Sequence, residues 1–245
     1  LWSGKWNLKT PLVFVLGFFA IFIMGGMTGV MVASVPLDLQ LHDTYFIVAH
    51  LHYVLIGGAV FPLFGAIYYW FPKWTGRMMS ERAGIVNFLL FFVGFNTVFF
   101  PMHVLGLNGM TRRIYTYIPE TGWSDLNLLA TVGAGVLGVG VLVFVGNVLY
   151  SRKFGAIAGD NPWGADTLEW ACSSPPPAYN FQYIPFVQGR HAVWNRTEDA
   201  PVVTGLNLKK REVLATTIHD AAPEHRYELQ SDSIFPFLLA LATGA

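Results

Sequence analysis

The residues best able to hold a metal or move a proton are His42, Asp43, His50 and His52. His50 and His52 sit in a stretch, residues 44–71, with no Lys, Arg, Asp or Glu. A run that long without charge predicts a helix through a bilayer, which takes about 20 apolar residues. An ionisable side chain inside such a span points to function by default. On a helix each residue advances about 100°, so His50 and His52 project about 200° apart. They cannot ligate one metal together, since helical co-ligands need i,i+3 or i,i+4 spacing. They can serve two centres on opposite sides of one helix, and neutral imidazole is a common axial ligand of haem iron. The alternative is two polar residues buried at helix contacts.

His42 and Asp43 lie at the mouth of that helix. They read either as a helix cap beside a solvated histidine or as a hard oxygen ligand with one nitrogen. Such a pair suits an octahedral ion that keeps several waters. Asp38 stands four residues upstream. Arg112 and Arg113 form a basic pair after a Gly-containing loop, and guanidinium binds carboxylates bidentately. The alternative for them is a surface basic pair. His103 is either a satisfied polar contact or a metal ligand. His191, His219 and His225 have no ligand spacing and read as surface residues.

These groups need elements to hold them. Apolar runs predict four spans, at about 11–33, 44–70, 83–104 and 126–150, making residues 1–150 a helical membrane part. Gly17, Gly25, Gly26 and Gly29 in the first run suit close packing of helices in lipid. Residues 34–41 read as a short loop, and Pro62 is placed to kink the histidine helix. Residues 151–232 read as a polar tail without helical periodicity, and residues 233–245 as the start of a further apolar helix. Lys5, Lys9, Lys73, Arg77, Arg82, Arg152 and Lys153 mark the cytoplasmic ends under the positive-inside rule. That puts the tail in the cytoplasm and His42 and Asp43 outside. Arg112 and Arg113 then fall on the side the rule disfavours, which asks for a specific anion. The fold class is all-α and integral to a membrane.

Composition agrees: 53% of residues are hydrophobic and only 12% charged, against about 25% in soluble domains. With zero formal net charge, there is no electrostatic case for a nucleic-acid partner. The lone Cys172 excludes an intrachain disulfide and a Cys-based cluster within the chain. No phosphate loop, dinucleotide fingerprint or serine-nucleophile motif is present. The chain lacks a secretory signal and an initiator Met, and stops within an apolar run, so it reads as a piece of a longer polypeptide.

The run HDTYFIVAHLHYVLIGGAVFPLFGAIYYWFP closely resembles the tenth transmembrane helix of subunit I of the haem–copper oxidases. FFPMHVLGLNGMTRRIYTY is similar to that family's loop after the eleventh helix. NPWGADTLEW and SSPPPAYNF are similar to its cytoplasmic stretch after the twelfth. The resemblance covers nearly the whole chain, as helices nine to twelve plus the tail.

The resemblance implies that His50 ligates the high-spin haem and His52 the low-spin haem, with both haems of the A type. It implies that His42 and Asp43 bind magnesium or manganese. It also implies that Arg112, Arg113 and Asp38 lie at or near haem propionates. The copper B ligands, the second low-spin axial histidine and the proton channels belong to the family's other half, outside this chain. The implied partners are that N-terminal part of subunit I, subunit II with its copper centre, subunit III, cytochrome c and the lipid bilayer. The implied location is a bacterial inner membrane.

Two departures from the family pattern stand out. Leu51 occupies the usual Phe position between the histidines, and Thr111 a usual Pro position. The implied activity is that of a terminal respiratory oxidase that pumps protons, with this chain inactive alone. Asp43 and Tyr53 favour cytochrome c over quinol as donor, and Leu51 disfavours a nitric oxide reductase. A non-catalytic membrane scaffold is the remaining alternative.

Overall fold

The computed structural model describes residues 4–177, 180–181, 190–194, 212–219, 223–228 and 233–243. They fall into two compact units. One comprises Leu1–Phe71 with Arg77–Ile157, the other Pro72–Gly76 with Ala158–Ala245.

The first unit is helical. Helix α1 (Thr10–Ala33) opens with Pro11, whose missing N–H is no loss in a first turn. Its cap comes from a distant residue. The Glu81 carboxylate accepts from the Thr10 N–H at 2.5 Å and from the Thr10 hydroxyl at 2.9 Å. A negative charge at a helix N-terminus is favourable, so this contact locks two helix starts together.

Residues 34–41 are not a loop. They hold a short helix, α2 (Val35–Leu41), with Pro36 in its first turn and Asp38 complementing its N-terminus. Then come α3 (Tyr45–Leu55), a π-turn at Ile56–Val60, and α4 (Phe61–Thr75). The π-turn explains how Pro62 is tolerated. A proline ring clashes with the carbonyl four residues back, and here the Phe61 N–H reaches five residues back to the Ile56 carbonyl. Helices α5 (Glu81–Leu107) and α6 (Ser124–Phe154) complete the unit. Each of α1, α3 through α4, α5 and α6 is long and apolar enough to cross a membrane.

Aromatic side chains from three of these segments form the core. Phe14 of α1, Tyr53 and Phe61 of the histidine segment, and Phe91, Phe95 and Phe99 of α5 pack as one cluster. Phe61 meets Phe91 edge-on at 5.2 Å, a favoured aromatic geometry. Helices α5 and α6 touch through bare backbone: a Cβ on Gly94 would stand 2.6 Å from the Leu137 nitrogen, and one on Gly133 2.7 Å from the Val98 nitrogen.

Polar residues in this seam are satisfied internally. Asn87 Nδ2 donates to the Gly140 carbonyl at 2.8 Å, and Tyr68 donates to Asn87 Oδ1 at 3.2 Å. Asn147 Oδ1 accepts from the Ser80 N–H and from the Ser151 hydroxyl. In lipid, where no water competes, such bonds specify which helices pair.

The second unit contains the tail, which is not wholly irregular. Strands β1 (Glu212–Thr216) and β2 (Pro223–Glu228) form an antiparallel pair, with Val213 opposite Tyr227. Short ribbons of this kind rest on cross-strand pairs, which the tail's mixed composition conceals. Lys73 donates to the carbonyls of Cys172 at 2.7 Å, Asp160 at 3.0 Å and Ser173 at 3.3 Å, and lies over the Trp170 ring. That uses all three ammonium donors. Asp166 accepts from the Val193 and Trp194 N–H groups and pairs with His191 at 2.6 Å. His191 is therefore exposed but engaged, and stacks on Trp194. His219 is exposed, and His225 falls in β2. The apolar helix α7 (Phe235–Thr243) has no buried residue among those described.

Candidate functional site

Helix α3 starts at Thr44, whose hydroxyl accepts from the Phe46 N–H and donates to the Leu41 carbonyl at 2.7 Å. That cap sets the rotation of the helix, and with it the two histidines. His50 turns toward α1. Its Nδ1 lies 3.0 Å from Thr28 Oγ1, and the Thr28 hydroxyl lies 2.9 Å from the Gly25 carbonyl. A hydroxyl has one proton, and a carbonyl can only accept it. Thr28 therefore donates to Gly25 and accepts from His50 Nδ1–H, which leaves His50 Nε2 with its lone pair.

His52 turns toward α5. Its Nδ1 is 2.7 Å from the Val48 carbonyl, so Nδ1 carries the proton and Nε2 again keeps the lone pair. The ring stacks on Phe99 with centroids 4.1 Å apart and planes 16° apart. Among the described residues no hydrogen bond engages either Nε2. Two imidazoles thus leave one helix on different sides, each held in the tautomer that ligates through Nε2. A neutral, oriented imidazole with a free Nε2 fits an axial haem ligand at both positions. Leu51 between them is 43% exposed and touches neither centre's orienting bonds.

The mouth of the helix gathers the other candidates. His42 Nδ1 is 3.9 Å from Asp38 Oδ2, and His42 Nε2 is 3.8 Å from Asp43 Oδ2. Arg112 pairs with Asp43 through its guanidinium, and its N–H donates to the Asp43 carbonyl at 2.8 Å. The Tyr45 N–H donates to the Met110 carbonyl at 2.9 Å, and Thr44 bridges Thr111. These backbone bonds pin the arginine loop against the start of α3.

Asp43 and Arg113 both adopt positive φ, +58° and +67°, a conformation Asp tolerates through local hydrogen bonding. Arg113 is exposed and has no ion pair among the described residues. No group of three or more His, Cys, Asp or Glu side chains is arranged to hold a metal among the described residues. Among the described residues the helix mouth thus offers a divalent ion only part of a coordination shell, the His42 imidazole and the Asp43 carboxylate. That donor set fits magnesium, which keeps waters in its other positions.

His103 lies on α5. It is 8% exposed, packed edge-on by Phe46 and Tyr53, and neither ring nitrogen has a hydrogen-bond partner among the described residues. Thr28 and Phe99 contact the two histidines directly. A threonine and a phenylalanine among dozens of apolar residues carry no local signal.

The profile of the family described as Cytochrome C and Quinol oxidase polypeptide I matches residues 1–136. The chain belongs to that family. Cytochrome c oxidase subunit 1 of Thermostichus vulcanus is 48% identical over 187 residues, covering 76% of this chain and 34% of that protein. The Synechocystis sp. protein of the same name is 48% identical over 222 residues, covering 91% and 39%. Quinol oxidase subunit 1 of Bacillus subtilis is 40% identical over 248 residues, covering 100% and 36%. The chain therefore spans about a third of the length of these relatives.

Among solved structures, a cryo-EM structure of a heme-copper terminal oxidase dimer aligns with a TM-score of 0.55. Sequence identity is 20%, and the alignment covers 64% of this chain and 29% of that one. At that identity the likeness speaks to the fold alone. It agrees with the helical bundle described above.

Proposed function

We propose that this chain forms part of the catalytic subunit of a terminal respiratory oxidase. The activity of that enzyme would be reduction of dioxygen to water with electrons from cytochrome c and proton translocation, for which a low-spin haem and a haem–copper centre would supply the redox chemistry. The observation that carries this reading is the pair His50 and His52, on different faces of α3, each held by its own Nδ1 hydrogen bond with Nε2 free. His50 is assigned to the high-spin haem and His52 to the low-spin haem. The haems, of the A type, supply the electron-transfer and oxygen-binding chemistry when bound.

This chain's residues do the rest. Val48 and Thr28 hold the imidazole protons on Nδ1. Phe99 presents an apolar face to His52. Arg112 and Arg113 supply fixed positive charge for propionates near the mouth, with Asp38 in their surroundings. His42 and Asp43 offer two ligands to magnesium or manganese, completed by water and a carboxylate of subunit II. Copper B, the second low-spin ligand and the proton channels fall to the N-terminal part of subunit I. Subunit III and the lipid bilayer complete the assembly, in a bacterial inner membrane with the tail in the cytoplasm. The chain by itself is inactive on this reading.

Quinol as donor is a second reading, favoured by the 40% identity to a quinol oxidase subunit over the whole chain. Asp43 and Tyr53 support cytochrome c. Turnover of the complete complex with each reduced donor separates the two.

The central test is spectral. In the complete oxidase, His50→Ala removes the high-spin haem signal and His52→Ala the low-spin signal. Loss of the same haem in both variants overturns the assignment.

A further inference from the structure

The orientation of His50 is set from outside its own helix. His52 is held by the Val48 carbonyl of α3 itself, so its tautomer comes with the helix. His50 depends on α1. Its Nδ1 meets the Thr28 hydroxyl at 3.0 Å, and that hydroxyl is anchored at 2.9 Å to the Gly25 carbonyl one turn earlier. The next residue, Gly29, faces the same ring: a Cβ there would lie 3.1 Å from His50 Cε1 and 3.8 Å from Nε2. Gly25 itself lets α1 approach, since a Cβ on it would stand 3.2 Å from the Tyr53 carbonyl carbon and the Val54 nitrogen. The three residues act together. Gly25 brings the backbones close and supplies the acceptor, Thr28 relays the hydrogen bond, and Gly29 leaves space for the ring.

We infer that Thr28 is a positioning residue for the high-spin haem ligand, acting through a hydroxyl relay from the Gly25 carbonyl to His50 Nδ1–H, with Gly29 as its steric complement. This rests on the assignment of His50 as that ligand. A hydrogen bond accepted from Nδ1–H moves electron density onto the ring and makes Nε2 a stronger donor. The relay is a weaker acceptor than a carboxylate and stronger than an apolar neighbour, so Thr28 sets an intermediate ligand strength. It also couples that strength to the packing of α1 on α3. His52, bonded to its own helix, is independent of this device.

The test uses the complete oxidase with Thr28→Val, which keeps the shape and removes the hydroxyl, and Thr28→Ser, which restores it. Resonance Raman of the reduced high-spin haem reads the iron–histidine stretch directly. The stretch falls in Thr28→Val and the haem midpoint potential rises, while both haems stay bound and the low-spin spectrum is unchanged. Thr28→Ser returns both towards the wild-type values. Gly29→Ala broadens the stretch, because the ring must shift away from the new methyl.

A stretch and potential in Thr28→Val identical to wild type overturn the relay. So does a change confined to the low-spin haem. His50→Ala, run in parallel, isolates the underlying assignment. If it spares the high-spin haem, the ligand assignment itself has failed. If it removes that haem and Thr28→Val is silent, only the relay has failed.

Discussion

At the scale of single residues, most of the chemistry is a matter of where protons sit. His50 and His52 are alike in the sequence, yet their Nδ1 protons go to different partners, one on another helix and one on their own. Asp43 shows competition at close quarters. Arg112 holds one carboxylate oxygen while the other faces His42 at 3.8 Å. An ion bound there has to share Asp43 with the guanidinium or displace it. When the complete complex is grown with manganese, a paramagnetic ion at this site gives an electron paramagnetic resonance signal. Asp43→Asn abolishes the signal and leaves both haems in place, since neither orienting hydrogen bond involves Asp43. A signal that survives the substitution makes the pair a helix mouth without a metal.

At the scale of elements, what matters is how closely helix backbones approach. The α5–α6 seam closes over Gly94 and Gly133, each facing the other helix's main chain rather than a side chain. A main-chain neighbour cannot rotate aside. Gly94→Ala must push the helices apart or bend one, and overpacking of this sort costs about 1–3 kcal/mol. The expected result is a lower midpoint of thermal unfolding in detergent for the purified complex. Gly138→Ala, at a position with open space, leaves the midpoint unchanged or raises it through better helix propensity. Equal effects of the two substitutions contradict the close approach. The satisfied Asn87 and Asn147 bonds lie in the same seam, so a shift of α6 also breaks polar contacts that lipid cannot replace.

At the scale of the whole molecule, the two units call for different tests. The helical unit is tested through the haems that the proposed function assigns to it. The tail unit carries its own titratable latch at Asp166. Burial pushes the Asp166 carboxyl up, but the Trp194 and Val193 N–H groups and His191 outweigh it and hold the carboxyl below its usual range. A depressed carboxyl stabilises the folded form above its unfolded value, about 3.9, and that contribution is lost as pH falls through the lower folded value. Hydrogen exchange of the 190–194 segment, corrected for intrinsic rates, therefore shows steady protection from neutral pH down to the unfolded value and loss below it. Asp166→Ala loses the protection at neutral pH as well. Protection that is indifferent to that substitution removes the latch.

Read alone, the sequence was enough for the membrane class, the number of long apolar helices and the two-sided character of the His50–His52 pair. Each depends on local periodicity: a charge-free run of span length, and an angular step per residue that places i and i+2 on different faces. It also carried the family, through long runs around the histidines and the arginine pair. It did not show that residues 34–41 wind into a helix, that a π-turn rather than a simple kink accommodates Pro62, or that the tail holds a β-ribbon. Those outcomes turn on capping, hydrogen-bond register and cross-strand pairing, whose partners lie outside a local window. Tertiary structure alone decided that Thr28 reaches His50, that Phe99 stacks on His52, and that Arg112 meets Asp43 across nearly seventy residues of chain. A hydrogen bond between helices needs both positions and both rotations at once. No stretch of sequence holds that information until the chain has packed.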